Sequence, residues 1–390
     1  MMLKRLIAAS LLLAPGHAVA QDWTTSWATS PMAMAGENVL PAGDGPVTVE
    51  QVVRLSVGGD RLRIRLTNRD GSEPLAIREV LLAPDKTGIP GRRVTFGGQP
   101  SVSIPTGAEY VSDPIALPIG ERGTVQVRLT FDHPPIATGH PGARATTRIR
   151  FAGGAPVEVA RWFQIAAIDV AGPAAGTVAV LGDSITDGYG VKIDSDGRWT
   201  DYLAERLEAR PGPMRVGVAN LGIGGNRLLE DGLGPNALAR IDRELWSLEN
   251  VRSLIVLIGV NDLGTLTREA PVPEAAHKKL VAGMLDGYRQ IAARARNAGI
   301  RVIGATILPY AGSDYYHPDA VNEADRQAIN AFIRAPGNFD VVIDLDAAMR
   351  DPQRPTYLRA DLDSGDGLHP SDAGYRAMAE AVPLDLLVQD

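Results

Sequence analysis

From Val47 to about Phe151 apolar residues tend to recur at every second position. The plainest case is Arg61-Leu62-Arg63-Ile64-Arg65-Leu66, where Leu62, Ile64 and Leu66 share one face and three arginines the other. That spacing predicts a half-buried strand, because side chains along a strand point alternately to its two sides. Val125, Val127, Leu129 and Phe131 repeat the device against Gln126, Arg128 and Thr130, and turn-forming clusters such as Asn68-Arg69-Asp70-Gly71 separate the runs. Several such strands predict an antiparallel sandwich or jelly roll, with the arginines on a solvated outer sheet face.

Beyond Ala171-Gly172-Pro173-Ala174-Ala175-Gly176, a small-residue stretch that reads as a linker, the period changes. Short apolar runs at 178–181, 216–219, 254–258 and 302–308 now alternate with amphipathic segments near 201–209, 236–248 and 274–298, the last stopped by Gly299. Alternation of this kind predicts βαβ units around a parallel sheet. The chain therefore divides into a β-rich domain at 21–172 and an α/β domain at 173–390.

Residues 1–20 read as an address rather than structure. Lys4 and Arg5 precede the apolar run Leu6 to Ala14, and Ala18-Val19-Ala20 supplies the small residues that a signal peptidase reads, so cleavage is expected before Gln21 and the mature chain is expected in the periplasm or outside the cell. The apolar run is too short to span a bilayer, and stable membrane insertion is not expected. The 390 residues carry 39 Lys+Arg against 46 Asp+Glu, a net charge of −7, with no basic block, which argues against nucleic acid as a partner. The absence of cysteine removes disulfides, thiolate metal sites and cysteine nucleophiles, so any nucleophile must be oxygen or nitrogen. No two of the six histidines have the four-residue spacing of a helical zinc site, and no metal or other cofactor is expected. The sequence assigns no oligomeric state.

In open parallel sheets ligands bind beyond the carboxyl ends of the strands, so the polar residues that follow the apolar runs carry the chemistry. One run closes in Gly182-Asp183-Ser184, a second in Asn220-Leu221-Gly222-Ile223-Gly224-Gly225-Asn226 and a third in Gly259-Val260-Asn261-Asp262; Asp366-Gly367-Leu368-His369-Pro370 lies ahead of a helix that Ser371 could cap. Taken singly, Ser184 reads first as an N-cap or turn residue, His369 as a surface or core histidine, Asn261 as a turn residue and Gly225 as a flexible joint. Together they supply what ester hydrolysis needs: a hydroxyl nucleophile, an imidazole base, a carboxylate to orient it, and donors for an oxyanion. A dinucleotide-binding reading fails at Arg227, where a third glycine would be required.

These four blocks resemble those of the SGNH (GDSL-type) hydrolase superfamily, over roughly residues 178–388. Ser184, in Gly182-Asp183-Ser184-Ile185-Thr186-Asp187-Gly188, matches the nucleophile block, with Ile185 where the family has its eponymous leucine; Gly225 matches the second block, Asn261 the third, and Asp366 with His369 the Asp-x-x-His of the last. The resemblance implies a three-layer, flavodoxin-like α/β fold, here preceded by the β-rich domain. It also implies a catalytic triad of Ser184, His369 and Asp366 and an oxyanion hole made by the N–H groups of Ser184 and Gly225 and the amide of Asn261. Asp183 and Asp262 are expected to brace these loops. Tyr189, Trp199 and Tyr310 are candidate substrate-binding walls, with Tyr315 and Tyr316 beside them. The expected activity is deacylation of short-chain, acetyl-like esters of carbohydrate or other polar or aryl alcohols, the substrate being a small molecule or a polysaccharide. The alternatives are a lysophospholipase- or lipase-type acyl hydrolase and a noncatalytic carbohydrate-binding surface protein on the same scaffold.

Overall fold

A computed structural model describes residues 23–41, 43–85, 90–135, 138–211 and 215–387. The expected signal segment and its cleavage point lie outside these residues. Two large antiparallel sheets, with two smaller ones beside them, build the first half. One runs in the order Val157–Val159, Thr147–Phe151, Val47–Arg54, Thr124–Phe131, Glu79–Pro84, Arg92–Arg93; the other runs Trp23–Ala28, Ile165–Ala171, Gly59–Thr67, Ile115–Ile119, with Glu109–Val111 also on Gly59–Thr67. The alternating positions face each other between the sheets: Val49, Val53, Val127 and Leu129 from one, Leu62, Ile64 and Leu66 from the other, all buried in one apolar core. This is the sandwich that the period of two predicts.

The arginine face of Gly59–Thr67 departs from expectation. Arg63 is not simply solvated: its Nε donates to Asp169 at 3.0 Å, its Nη2 reaches Glu249, and its guanidinium lies 4.5 Å over the Trp23 ring. The second half abuts this sheet, so an outer face for the sandwich becomes an inner face of the molecule.

The second half is a five-stranded parallel sheet in the order Arg215–Gly222, Ala174–Gly182, Val251–Leu257, Arg301–Ala305, Val341–Ile343. The helices Trp199–Glu208 and Asp372–Glu380 pack together on one side, whereas Glu274–Asn297 packs against Ala237–Trp246 and Ala320–Arg334 on the other. Numbered along the chain the strand order is 2-1-3-4-5, the flavodoxin-like arrangement. Ala174–Gly182 is buried on both faces from Gly176 onward, which explains its unbroken run of small and apolar residues. Helix Glu274–Asn297 buries Met284, Tyr288, Ile291, Ala292 and Ala295, the three- and four-residue spacing of one helical stripe. The expected linker is mostly strand, since Ile165–Ala171 and Ala174–Gly182 are separated only by Gly172 and Pro173. Its small side chains leave the backbone free to pair on both sides, Ala171 with Trp23 and Ala174 with Arg215.

Candidate active site

In a 2-1-3-4-5 sheet the crevice opens where the order reverses, between the first and third strands. Ser184 follows the first strand at that point, Gly225 follows the second and Asn261 the third. Asp183 is extended and caps the short helix Ser184–Asp187 by accepting the Ile185 N–H at 3.0 Å. The Ser184 carbonyl accepts the N–H groups of Gly188 and Tyr189, and the Asn220 amide donates to the Thr186 carbonyl, so the turn bearing the serine is held from both ends.

The C-terminal loop brings the other two groups to it. Asp366 Oδ1 accepts the N–H groups of Leu368 and His369 at 2.9 and 2.8 Å, and Oδ2 takes the His369 Nδ1–H at 2.6 Å. With that proton on Nδ1, Nε2 is left as acceptor, and Ser184 Oγ donates to it at 2.8 Å. Burial lowers the His369 imidazole below its ordinary value, with Arg144 adding to the effect and Asp366 opposing it. Burial pushes the Asp366 carboxyl up, but the His369 and Leu368 N–H groups and the imidazole outweigh it and hold Asp366 below the usual carboxylate value.

Asn261 lies in the first turn of helix Val260–Thr267 and is fixed at both ends of its amide: Nδ2 donates to the Asn226 carbonyl at 2.8 Å, and Oδ1 accepts the Tyr316 hydroxyl at 2.6 Å. One amide hydrogen remains for a ligand. Gly225 adopts φ 68, which a side chain would strain, and its N–H donates to no partner among the described residues. Asp262 accepts the N–H groups of Leu228 and Leu229 at 2.7 and 3.0 Å and so ties the Gly225 loop to the Asn261 helix. Both bracing carboxyls are raised by burial, Asp183 to about 7 and Asp262 to about 6.

A family model for GDSL-like lipase/acylhydrolases matches residues 180–377. The chain belongs to that family. It is a carboxylic ester hydrolase. Among solved structures, the chain is similar to a GDSL-like lipase from Bacteroides thetaiotaomicron at 19% identity over 53% of this chain and 85% of that one, with a TM-score of 0.40. An α/β hydrolase from the metagenome of Lake Arreo, Spain, shares 21% identity over 54% and 94% of the two chains, with a TM-score of 0.40. An acetyl xylan esterase shares 20% over 53% and 96%, with a TM-score of 0.39. No curated protein is significantly similar.

Within this GDSL-like hydrolase the candidate wall residues separate. Tyr189 is 49% exposed and stacks on the His369 ring, centroids 4.1 Å apart. Trp199 and Tyr310 are each 1% exposed in the apolar core, Trp199 donating its indole N–H to Thr186, so neither has surface to offer a substrate. Their large apolar rings gain more by packing than by lining a wet cleft. Tyr315 is exposed and bonded to Arg268, whereas Tyr316 is buried and holds Asn261. Arg240 lies outside the motifs yet is fully buried, donates to the Gly182 and Leu221 carbonyls, to Asn226 and to Ser30, and pairs with Glu244. Its signal was present, because Ala237, Arg240, Ile241, Glu244 and Leu245 form the buried stripe of one helix and so place an opposite-charge pair four residues apart inside. His140 likewise lies outside the motifs, and its ring joins the Ser30 carbonyl to the Asp187 carboxylate at the end of the turn that bears Ser184.

Proposed function

We propose that this hydrolase is an exported serine esterase that removes short acyl groups from carbohydrate or other polar or aryl alcohols. The observation that carries the mechanism is the unbroken line Ser184 Oγ, His369 Nε2, His369 Nδ1, Asp366 Oδ2, with contacts of 2.8 and 2.6 Å. In that reading Ser184 attacks the ester carbonyl while His369 takes its proton, and Asp366 steadies the imidazolium. The oxyanion that forms is met by the N–H groups of Ser184 and Gly225 and the free amide hydrogen of Asn261. His369 then gives the proton to the leaving alcohol, and water, deprotonated by the same imidazole, frees the acid from the acyl-enzyme.

A polar alcohol is supported by the rim, where the exposed ring of Tyr189 lies under the Arg144 guanidinium and beside His369. Export is supported by the basic, apolar and small-residue order of residues 4–20. Two measurements test the proposal. Purified protein should turn over p-nitrophenyl esters with a maximum at two to four acyl carbons and release acetate from acetylated polysaccharide; a maximum at eight or more carbons would move it to the lipase type. The protein recovered from the cell envelope or medium should begin at Gln21.

A further inference from the structure

Arg144 carries a charge that belongs to neither the proposed triad nor the proposed oxyanion hole. It lies in the turn between strands Thr138–His140 and Thr147–Phe151, in left-handed backbone with φ 50. The turn is held against the catalytic half: Asp194 N–H donates to the Arg144 carbonyl at 2.9 Å, Thr146 N–H and hydroxyl donate to the Asp194 carboxylate at 2.7 Å each, and Arg198 donates to the carbonyls of Gly142 and Ala143. The guanidinium is thereby set 5.6 Å from the centre of the Tyr189 ring, which itself stacks on His369.

Among the described residues Arg144 forms no ion pair, no side-chain hydrogen bond is found for it, and its Nε is shut away from solvent without an acceptor. Arg63, Arg240 and Arg326 are completed by carboxylates, Asp169, Glu244 and Asp346 respectively, whereas Arg65 on the sandwich shares the unpaired Nε but lies away from the triad. The carboxylates that act on His369 are already committed, Asp366 to the imidazole and Asp363 to the N–H groups of Gly365 and Gly367. The two Nη groups, equally without an acceptor, are not enclosed as Nε is, and a ligand that brings oxygens to them gains charge-assisted hydrogen bonds. The planar guanidinium matches the two oxygens of a carboxylate in particular. Resting on the esterase reading above, we propose that Arg144 is an anion subsite beside the triad, and that the preferred substrates are esters whose alcohol part bears a carboxylate close to the ester.

The test compares 3-acetoxybenzoate with 3-acetoxybenzamide, which offer the same acetyl group on a charged and a neutral alcohol, each rate normalised to alkaline hydrolysis. The wild type should favour the carboxylate by about 10- to 100-fold in kcat/KM, the range of one charge-assisted hydrogen bond, and the preference should weaken with salt. In Arg144→Gln the ratio of the two substrates should fall to within about threefold of unity, chiefly through KM for the carboxylate, and Arg144→Lys should keep part of it. Circular dichroism and labelling of Ser184 by an organophosphate check that each variant is folded. Equal normalised turnover by the wild type, or a variant that slows both esters alike, overturns the anion subsite and leaves the esterase standing. No turnover of either ester by the wild type overturns both.

Discussion

Ser184→Ala deletes one hydroxyl from a turn whose hydrogen bonds come from Asp183, Asn220 and the backbone of Gly188 and Tyr189, so the fold should persist while ester turnover falls by roughly 10⁴ to 10⁶. Steady-state rates with matched circular dichroism check this, and activity within tenfold of wild type would remove Ser184 from the chemistry. His369 must be neutral to take the proton. Burial lowers its pKa, so kcat/KM should rise with pH through an apparent value below the ordinary 6.5 and stay high at mildly alkaline pH. An acid limb centred above 7 would show that the imidazole is stabilised as a cation instead. Asp183 gives a second pH signature. Its folded pKa of about 7 lies above the ordinary 3.8, so between those values the folded chain holds a proton that the unfolded chain has lost. That contribution is present at low pH and is lost as pH rises through about 7. Asp183→Asn keeps an oxygen for the Ile185 N–H and removes the ionisation, so its Tm should exceed that of wild type at pH 8, with the gap closing toward pH 4. A gap independent of pH would refute the buried-acid account.

At the level of elements, the proposed oxyanion donors depend on how loops are hung from one another. Asp262 carries the Gly225 loop on its two carboxylate oxygens, and in Asp262→Asn an amide NH₂ would face one of the two donors. The loop should loosen, lowering kcat by about 10- to 100-fold with little change in KM, because the Gly225 N–H matters chiefly once the oxyanion forms. A change confined to KM would place the loop in substrate binding. The same dependence explains what could be read in advance. Ser184, Gly225, Asn261, Asp366 and His369 each sit in a short stretch at a strand or loop end, so their residue types and order are visible along the chain. Strand Gly59–Thr67 and helix Glu274–Asn297 were legible for a similar reason, since their periods of two and 3.6 are local. The roles of Tyr316 and His140 were not, because each acts through a partner on another element, Asn261 and Asp187, and for Arg240 the helix stripe signals its burial beside Glu244 but not its bonds to the ends of two strands. Trp199 and Tyr310 misled because an aromatic residue near a motif reads the same whether it lines a cleft or fills the core behind it.

On the scale of the whole molecule, every member of the proposed triad and oxyanion hole lies beyond Gly176, yet the two halves share buried polar groups. Thr177 Oγ1 donates to the Thr25 carbonyl at 3.1 Å, Glu249 N–H to Thr25 Oγ1 at 2.8 Å, and Val218 N–H to Ser56 Oγ at 2.8 Å. At Gly217 a Cβ would stand 2.2 Å from the Thr25 carbonyl oxygen, so strand Trp23–Ala28 approaches the parallel sheet as closely as glycine allows. Nearer the chemistry, Ser30 bonds Arg240, His140 bonds Asp187, and the carbonyls of Gly142 and Ala143 receive Arg198. A chain shortened to begin at Gly176 would keep the proposed triad but strand these donors and acceptors and bare the surface that the sandwich covers. It should therefore be insoluble, or soluble with turnover of small neutral esters reduced by at least about tenfold, since the Asp187 end of the nucleophile turn loses its support. Expression of the shortened chain beside the full one, with p-nitrophenyl acetate rates per folded active site titrated by organophosphate, decides the matter. A soluble fragment with an unchanged rate on small esters would mean that the sandwich does not support the nucleophile turn, and would leave the Arg144 contact as its one connection to the reaction.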